Sequence, residues 1–199
     1  MTVTRERFEQ GMSYDAFKTQ MTRNQERFQT QEQALALEPA DVTVFSNLPR
    51  PLDVLVLAED WCGDVITNLP ILGRLAAESG KLNLRIFLRD QNADLMDQYL
   101  NQGQFRSIPV FVFFDEQFNE LGRFIERPAS VTERNAQIQR EVYAEHPEFG
   151  SPDVPVTQLP EGLRLQVMQA TAERREASRA ANNQDVVSAL RQIVEAAQA

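Results

Sequence analysis

The chain has one cysteine, one histidine and one tryptophan in 199 residues. A lone cysteine, Cys62, cannot close an internal disulfide, which excludes the disulfide-framed scaffolds of small secreted proteins. The lone histidine, His146, lies far from it in a proline-rich stretch. A zinc centre therefore lacks ligands and a cysteine–histidine peptidase pair lacks its base, so neither metal nor cofactor is expected. No apolar run approaches the roughly eighteen residues that a membrane span needs. The opening "MTVTRERFEQGMSYDAF" has no basic segment followed by an apolar one, so a secretory leader is not expected either. Basic charge is scarce: 20 Lys and Arg stand against 29 Asp and Glu, a net −9 with no basic block. Nucleic acid is thereby a poor partner on bulk electrostatics. The expectation from these absences is a cytoplasmic chain with no membrane or nucleic-acid partner.

Hydrophobic residues make up 42% of the chain, enough for one core with appended helices. From residue 5 to about 36 the residues Phe8, Met12, Phe17, Met21 and Phe28 recur near helical spacing, with Gly11 and Ser13 as a break. Residues 37–51 leave a strand through Val42 and Val44 and a short helix opened by Pro39 both open. "LDVLVLAE" (52–59) reads as a buried strand. A helix from about Cys62 to Ser79 follows, closed by Gly80 and carrying Pro70 inside it. "NLRIFLRD" (83–90) is a second strand and "NADLMDQYLNQG" (92–103) a helix ending at glycine. Residues 106–126 read as a hairpin, Val110–Phe114 and Glu120–Ile125, and a helix from about Ser130 to Ala144 comes next, with Ser130 as cap and Glu133 in the capping-box position. "HPEFGSPDVPVTQLPEG" (146–162) is a linker or surface loop, and the remainder is helical. The order implies an α/β fold: a mixed central sheet covered on both faces, with helical N- and C-terminal extensions. The organisation expected is a helical extension over 1–49, the α/β domain over 50–145, and a proline-rich linker with helices over 146–199. The extensions offer a surface for homodimerisation.

The most specific stretch is "AEDWCGDVITNLP" (58–70). A cysteine in the first turn of a helix meets unsatisfied backbone amides and the positive end of the helix dipole, and both favour thiolate. Gly63 leaves room for another chain to approach the sulfur, and Trp61 offers a flat contact surface. "WCGDV", with Pro70 eight residues after the cysteine, resembles the active-site helix "WCGPC" of the thioredoxin family and its kink proline. "SIPVFVFF" is similar to the segment holding that family's cis-proline, which would be Pro109. The resemblance covers roughly residues 50–145. It implies a thioredoxin-like fold with Cys62 beside Pro109, and a substrate strand pairing with the backbone of Ile108. Trp61, Gly63, Asp64, Ile108 and Pro109 would then form the substrate platform around the catalytic Cys62.

The departures are as informative. Val65 stands where the family has its resolving cysteine, and Val56 where it buries an aspartate, so the dithiol machinery is missing as a unit. Asp64 replaces the motif's proline. With Glu59 and Asp60 it opposes ionisation of Cys62: at an effective dielectric of ~40, a carboxylate ~6 Å away costs the thiolate ~1.4 kcal/mol. The helix terminus returns ~0.3–2 kcal/mol. Two functions follow. One is a monothiol thiol–disulfide oxidoreductase, acting on protein or low-molecular-weight mixed disulfides with the resolving thiol supplied in trans. The other is a redox-inactive binding or dimerisation protein on the same fold.

Overall fold

The structure is a computed structural model that describes residues 3–196. The chain divides into two compact units, residues 3–127 with 186–196, and residues 128–185.

The first unit is built on four strands: β1 (Leu52–Ala58), β2 (Leu82–Leu88), β3 (Val110–Phe114) and β4 (Glu120–Ile125). They lie in the order β2-β1-β3-β4. β1 runs parallel to β2 and antiparallel to β3, and β3 pairs antiparallel with β4. The sheet is mixed, as the sequence implied. β1 and β3 are central, and all of their residues but Asp53 are buried. Their continuous apolar runs reflect burial on both faces, since alternate side chains point to opposite sides.

The pairing register shows what covers each face. Phe87, Leu57, Val110 and Ile125 lie across from one another, so Phe87 and Arg123 share a face; Gly122, opposite Phe113, lies on the other. The first face receives Arg7 of α1 (Arg5–Glu9), stacked over Phe87, and Tyr99, under the Arg123 guanidinium. The second receives the last helix, α9 (Arg179–Ala196), whose Ile193 lies against Gly122. Val186, Val187, Leu190 and Val194 of that helix are buried in the same core.

The N-terminal stripe folds as three short helices, α1, α2 (Tyr14–Gln20) and α3 (Gln25–Ala34). Phe8, Phe17, Met21 and Phe28 are all buried. The break at residues 11–13 has two causes. A Cβ at Gly11 would come within 2.7 Å of the Phe87 ring, and Ser13 caps α2 by accepting the Ala16 amide at 3.2 Å. Between them Met12 exchanges both backbone hydrogen bonds with Ile86 on the edge of the sheet, at 2.9 and 2.8 Å. The ambiguous segment is a helix, α4 (Pro39–Ser46), with Pro39 in its first turn.

α5 (Gly63–Ser79) follows β1, with Cys62 at its N-cap and Gly80 at its C-cap in the left-handed region, φ +64°. Pro70 lies inside it. The helix expected over 92–103 contracts to one turn, α6 (Ala93–Met96). Gln98 and Tyr99 instead make turn hydrogen bonds back to Leu95 and Met96, and Asn101 pairs with Phe105 across a tight loop, so backbone bonding there is local.

The second unit contains α7 (Ala129–Glu145) and α8 (Glu161–Ala177). Its small core joins Ile138, Val142, Tyr143, Phe149 and Val167. Pro128, not Ser130, is the N-cap of α7. The Ser130 hydroxyl is taken up by the Asp185 carboxylate at 2.9 Å. The proline-rich stretch forms two short 3-10 turns, Pro147–Phe149 and Val156–Gln158, the first pinned by the buried Phe149. Among the described residues no helix is long and apolar enough to cross a membrane.

Candidate functional site

β1 ends at Ala58 and α5 begins at Gly63, so the four intervening residues form the junction that presents Cys62. Cys62 has extended backbone, φ −85° and ψ 122°, and its carbonyl accepts the Ile66 amide at 3.1 Å as an N-cap residue should. Its side chain is half-buried. The Sγ–H donates to the carbonyl of Ile108 at 3.5 Å. The Ile108–Pro109 peptide bond is cis. Chain segments 46 residues apart thus meet at the sulfur.

Trp61 is 41% exposed, with the Arg89 guanidinium stacked 4.7 Å from its ring centre. Arg89 also donates to the Arg106 carbonyl at 3.2 Å, tying the tryptophan to the loop that leads into Ile108. At Gly63 a Cβ would meet nothing within 4 Å, so packing within the chain does not demand glycine there.

The three acidic neighbours part company. Glu59 is buried and accepts the Asp90 amide at 2.8 Å; burial pushes its carboxyl above the ordinary range. Asp60 accepts the backbone amides of Thr22 at 2.7 Å and Arg23 at 3.0 Å. Of the three, Asp64 is the one that weighs most on Cys62. Burial is the largest influence and pushes the thiol above its ordinary value; the backbone amides of Val65 and Asp64 pull it down, the Asp64 carboxylate adds to the rise, and the Arg127 guanidinium opposes it.

Arg127 is the residue that local sequence reasoning missed. Its Nη2 lies 2.6 Å from Asp64 Oδ2 and also pairs with Glu126. Glu126 has a left-handed backbone, φ +62°, unusual for a residue with a side chain. Its amide donates to the Pro109 carbonyl at 2.7 Å, and its carbonyl accepts Asn68 Nδ2 at 2.9 Å. Asn101 Nδ2 reaches its carboxylate at 3.0 Å. A polar girdle of Asp64, Asn68, Asn101, Glu126 and Arg127 therefore joins α5, the loop before Pro109 and the end of β4. The one local signal was Asn68, a buried polar residue between Val65 and Leu72 on the apolar stripe of α5. Nothing local to Asp64 announces a partner 63 residues away. Among the described residues, no three His, Cys, Asp or Glu side chains are grouped so as to hold a metal ion.

A family model described as Thioredoxin matches residues 11–139. Two solved structures share the fold. A protein of unknown function from Pseudomonas aeruginosa, with a 1.5 Å crystal structure, is 25% identical, has a TM-score of 0.62, and is matched over 89% of this chain and 99% of its own. An HIV epitope-scaffold protein is 20% identical, with a TM-score of 0.61 and 94% of each chain covered. No curated protein matches the sequence.

Proposed function

Because the chain belongs to the thioredoxin family, we propose that it is a monothiol thiol–disulfide oxidoreductase working through Cys62. The observation that carries this is the half-buried sulfur at the N-cap of α5, in contact with the carbonyl of Ile108 beside cis-Pro109. That arrangement supports an extended substrate lying along Ile108 with its disulfide next to Sγ. The thiolate of Cys62 attacks one sulfur of a disulfide R–S–S–R′, forming Cys62–S–S–R and expelling R′–S⁻. Val65 stands three residues on, and the chain has no other cysteine, so no internal thiol can release R. A second thiolate R″–S⁻, from a protein or a small thiol, attacks the mixed disulfide, restores Cys62 thiolate and leaves as R–S–S–R″. Each step is an exchange, with no net oxidant required. Trp61, Gly63 and Asp64 flank the entry to the sulfur, and a reducing compartment such as the cytoplasm keeps the lone thiol free.

The competing proposal, a redox-inactive binding or dimerisation protein, draws support from one observation: burial pushes the Cys62 thiol up, away from the activated range. Cys62→Ser decides between them. The wild type should turn over a small mixed disulfide in the presence of added thiol, and the variant should fall to background. Full turnover by the variant, or none by the wild type, overturns the enzyme in favour of the binding protein.

A further inference from the structure

We propose that Arg127 is the positioning residue of the Cys62 site: it holds Asp64 and offsets its charge, in a guanidinium shared with Glu126, so that negative charge can develop on Sγ. This rests on the thiol chemistry proposed above and names what tunes it.

Asp64 stands in the first turn of the helix that Cys62 caps, so its carboxylate is placed where it opposes an anion on the sulfur. Arg127 meets that carboxylate at 2.6 Å, with the two side chains 24% and 28% exposed, a setting in which solvent screens the pair less than on an open surface. The guanidinium is itself fixed. Glu126 binds the same Nη2, Asn101 holds the Glu126 carboxylate, and the Glu126 backbone is fastened to Pro109 on one side and Asn68 on the other. The other charges nearby are engaged elsewhere: Glu59 with the Asp90 amide, Asp60 with Thr22 and Arg23, Arg89 with Trp61 and Asp90.

The test is the rate of Cys62 alkylation by iodoacetamide, a neutral reagent, followed against pH in five proteins: wild type, Arg127→Gln, Arg127→Lys, Asp64→Asn and the double variant Asp64→Asn with Arg127→Gln. One unit of opposing charge lost ~6 Å from the sulfur, at an effective dielectric of ~40, moves the profile by about one pH unit. Arg127→Gln should shift it up by that amount, slowing alkylation about tenfold below the midpoint. Asp64→Asn should shift it down. The double variant should return near wild type, Arg127→Lys should stay close to it, and the high-pH limiting rate should hold throughout. A merely structural arginine would change the limiting rate or be unrescued by lysine. A midpoint in folded Arg127→Gln or in the double variant that breaks this pattern overturns the proposal, as does loss of folding in Arg127→Lys. Alkylation reads ionisation and not turnover, so this outcome is separate from the fate of the exchange activity, which Cys62→Ser tests.

Discussion

Asn68 offers the sharpest test of how the fold supports the site. It is 6% exposed, and its Nδ2 donates to the Glu126 carbonyl at 2.9 Å. Glu126 sits at φ +62°, a conformation that costs a side-chain-bearing residue about 1–2 kcal/mol. That cost is met by the contacts that hold it, of which the Asn68 bond is one. In Asn68→Ala the carbonyl loses its donor in a part-buried setting, at about 1–3 kcal/mol. A central value of about 2 kcal/mol corresponds to a fall in Tm of roughly 4–8 °C for a chain of this size. The assay is urea unfolding followed by the fluorescence of Trp61, the only tryptophan, which lies in the same compact unit. Asn68→Leu, which keeps the branched shape but not the donor, should lose about as much. A loss below about 0.5 kcal/mol in the alanine variant would refute the reasoning. Full recovery in the leucine variant would show that Asn68 serves packing rather than the Glu126 carbonyl.

Two further outcomes follow from the same structure. Phe28, fully buried and edge-on to Phe17, anchors α3 in the core, so Phe28→Ala should cost about 3–5 kcal/mol by chemical denaturation; a loss under about 1 kcal/mol would mean that α3 is not part of the cooperative unit. Glu59 is raised by burial, so its neutral form is favoured in the fold: the stability it contributes is present below its unfolded pKa and is lost as pH rises through the folded one. Glu59→Gln, which can still accept the Asp90 amide, should therefore be more stable than wild type at pH 7, with the gain shrinking toward pH 4. An equal difference at both pH values would contradict that assignment.

What the sequence determined by itself is the local grammar. Continuous Val, Leu and Phe runs marked β1 and β3 because strands covered on both faces need apolar side chains at every position. Gly80 marked the end of α5 because a left-handed C-cap suits a residue without Cβ. "WCGDV", Pro70 and "SIP" together carried the family resemblance, and with it the fold. Where local signals competed, the sequence misled or stayed silent. Residues 97–103 have helical composition, yet Asn101 bonds to Phe105 and the helix stops at Met96. Ser130 looks like a cap, yet its hydroxyl serves Asp185. The charge balance at Cys62 was the least legible feature. Three carboxylates adjacent in sequence looked like one repulsive cluster. The tertiary structure sends Glu59 to Asp90, Asp60 to Thr22 and Arg23, and Asp64 to Arg127. The reason is the range of the forces. Backbone preference and periodicity act over a few neighbouring residues and are written in order along the chain. An electrostatic partner is chosen by distance in space, and only the folded sheet brings residue 127 beside residue 64.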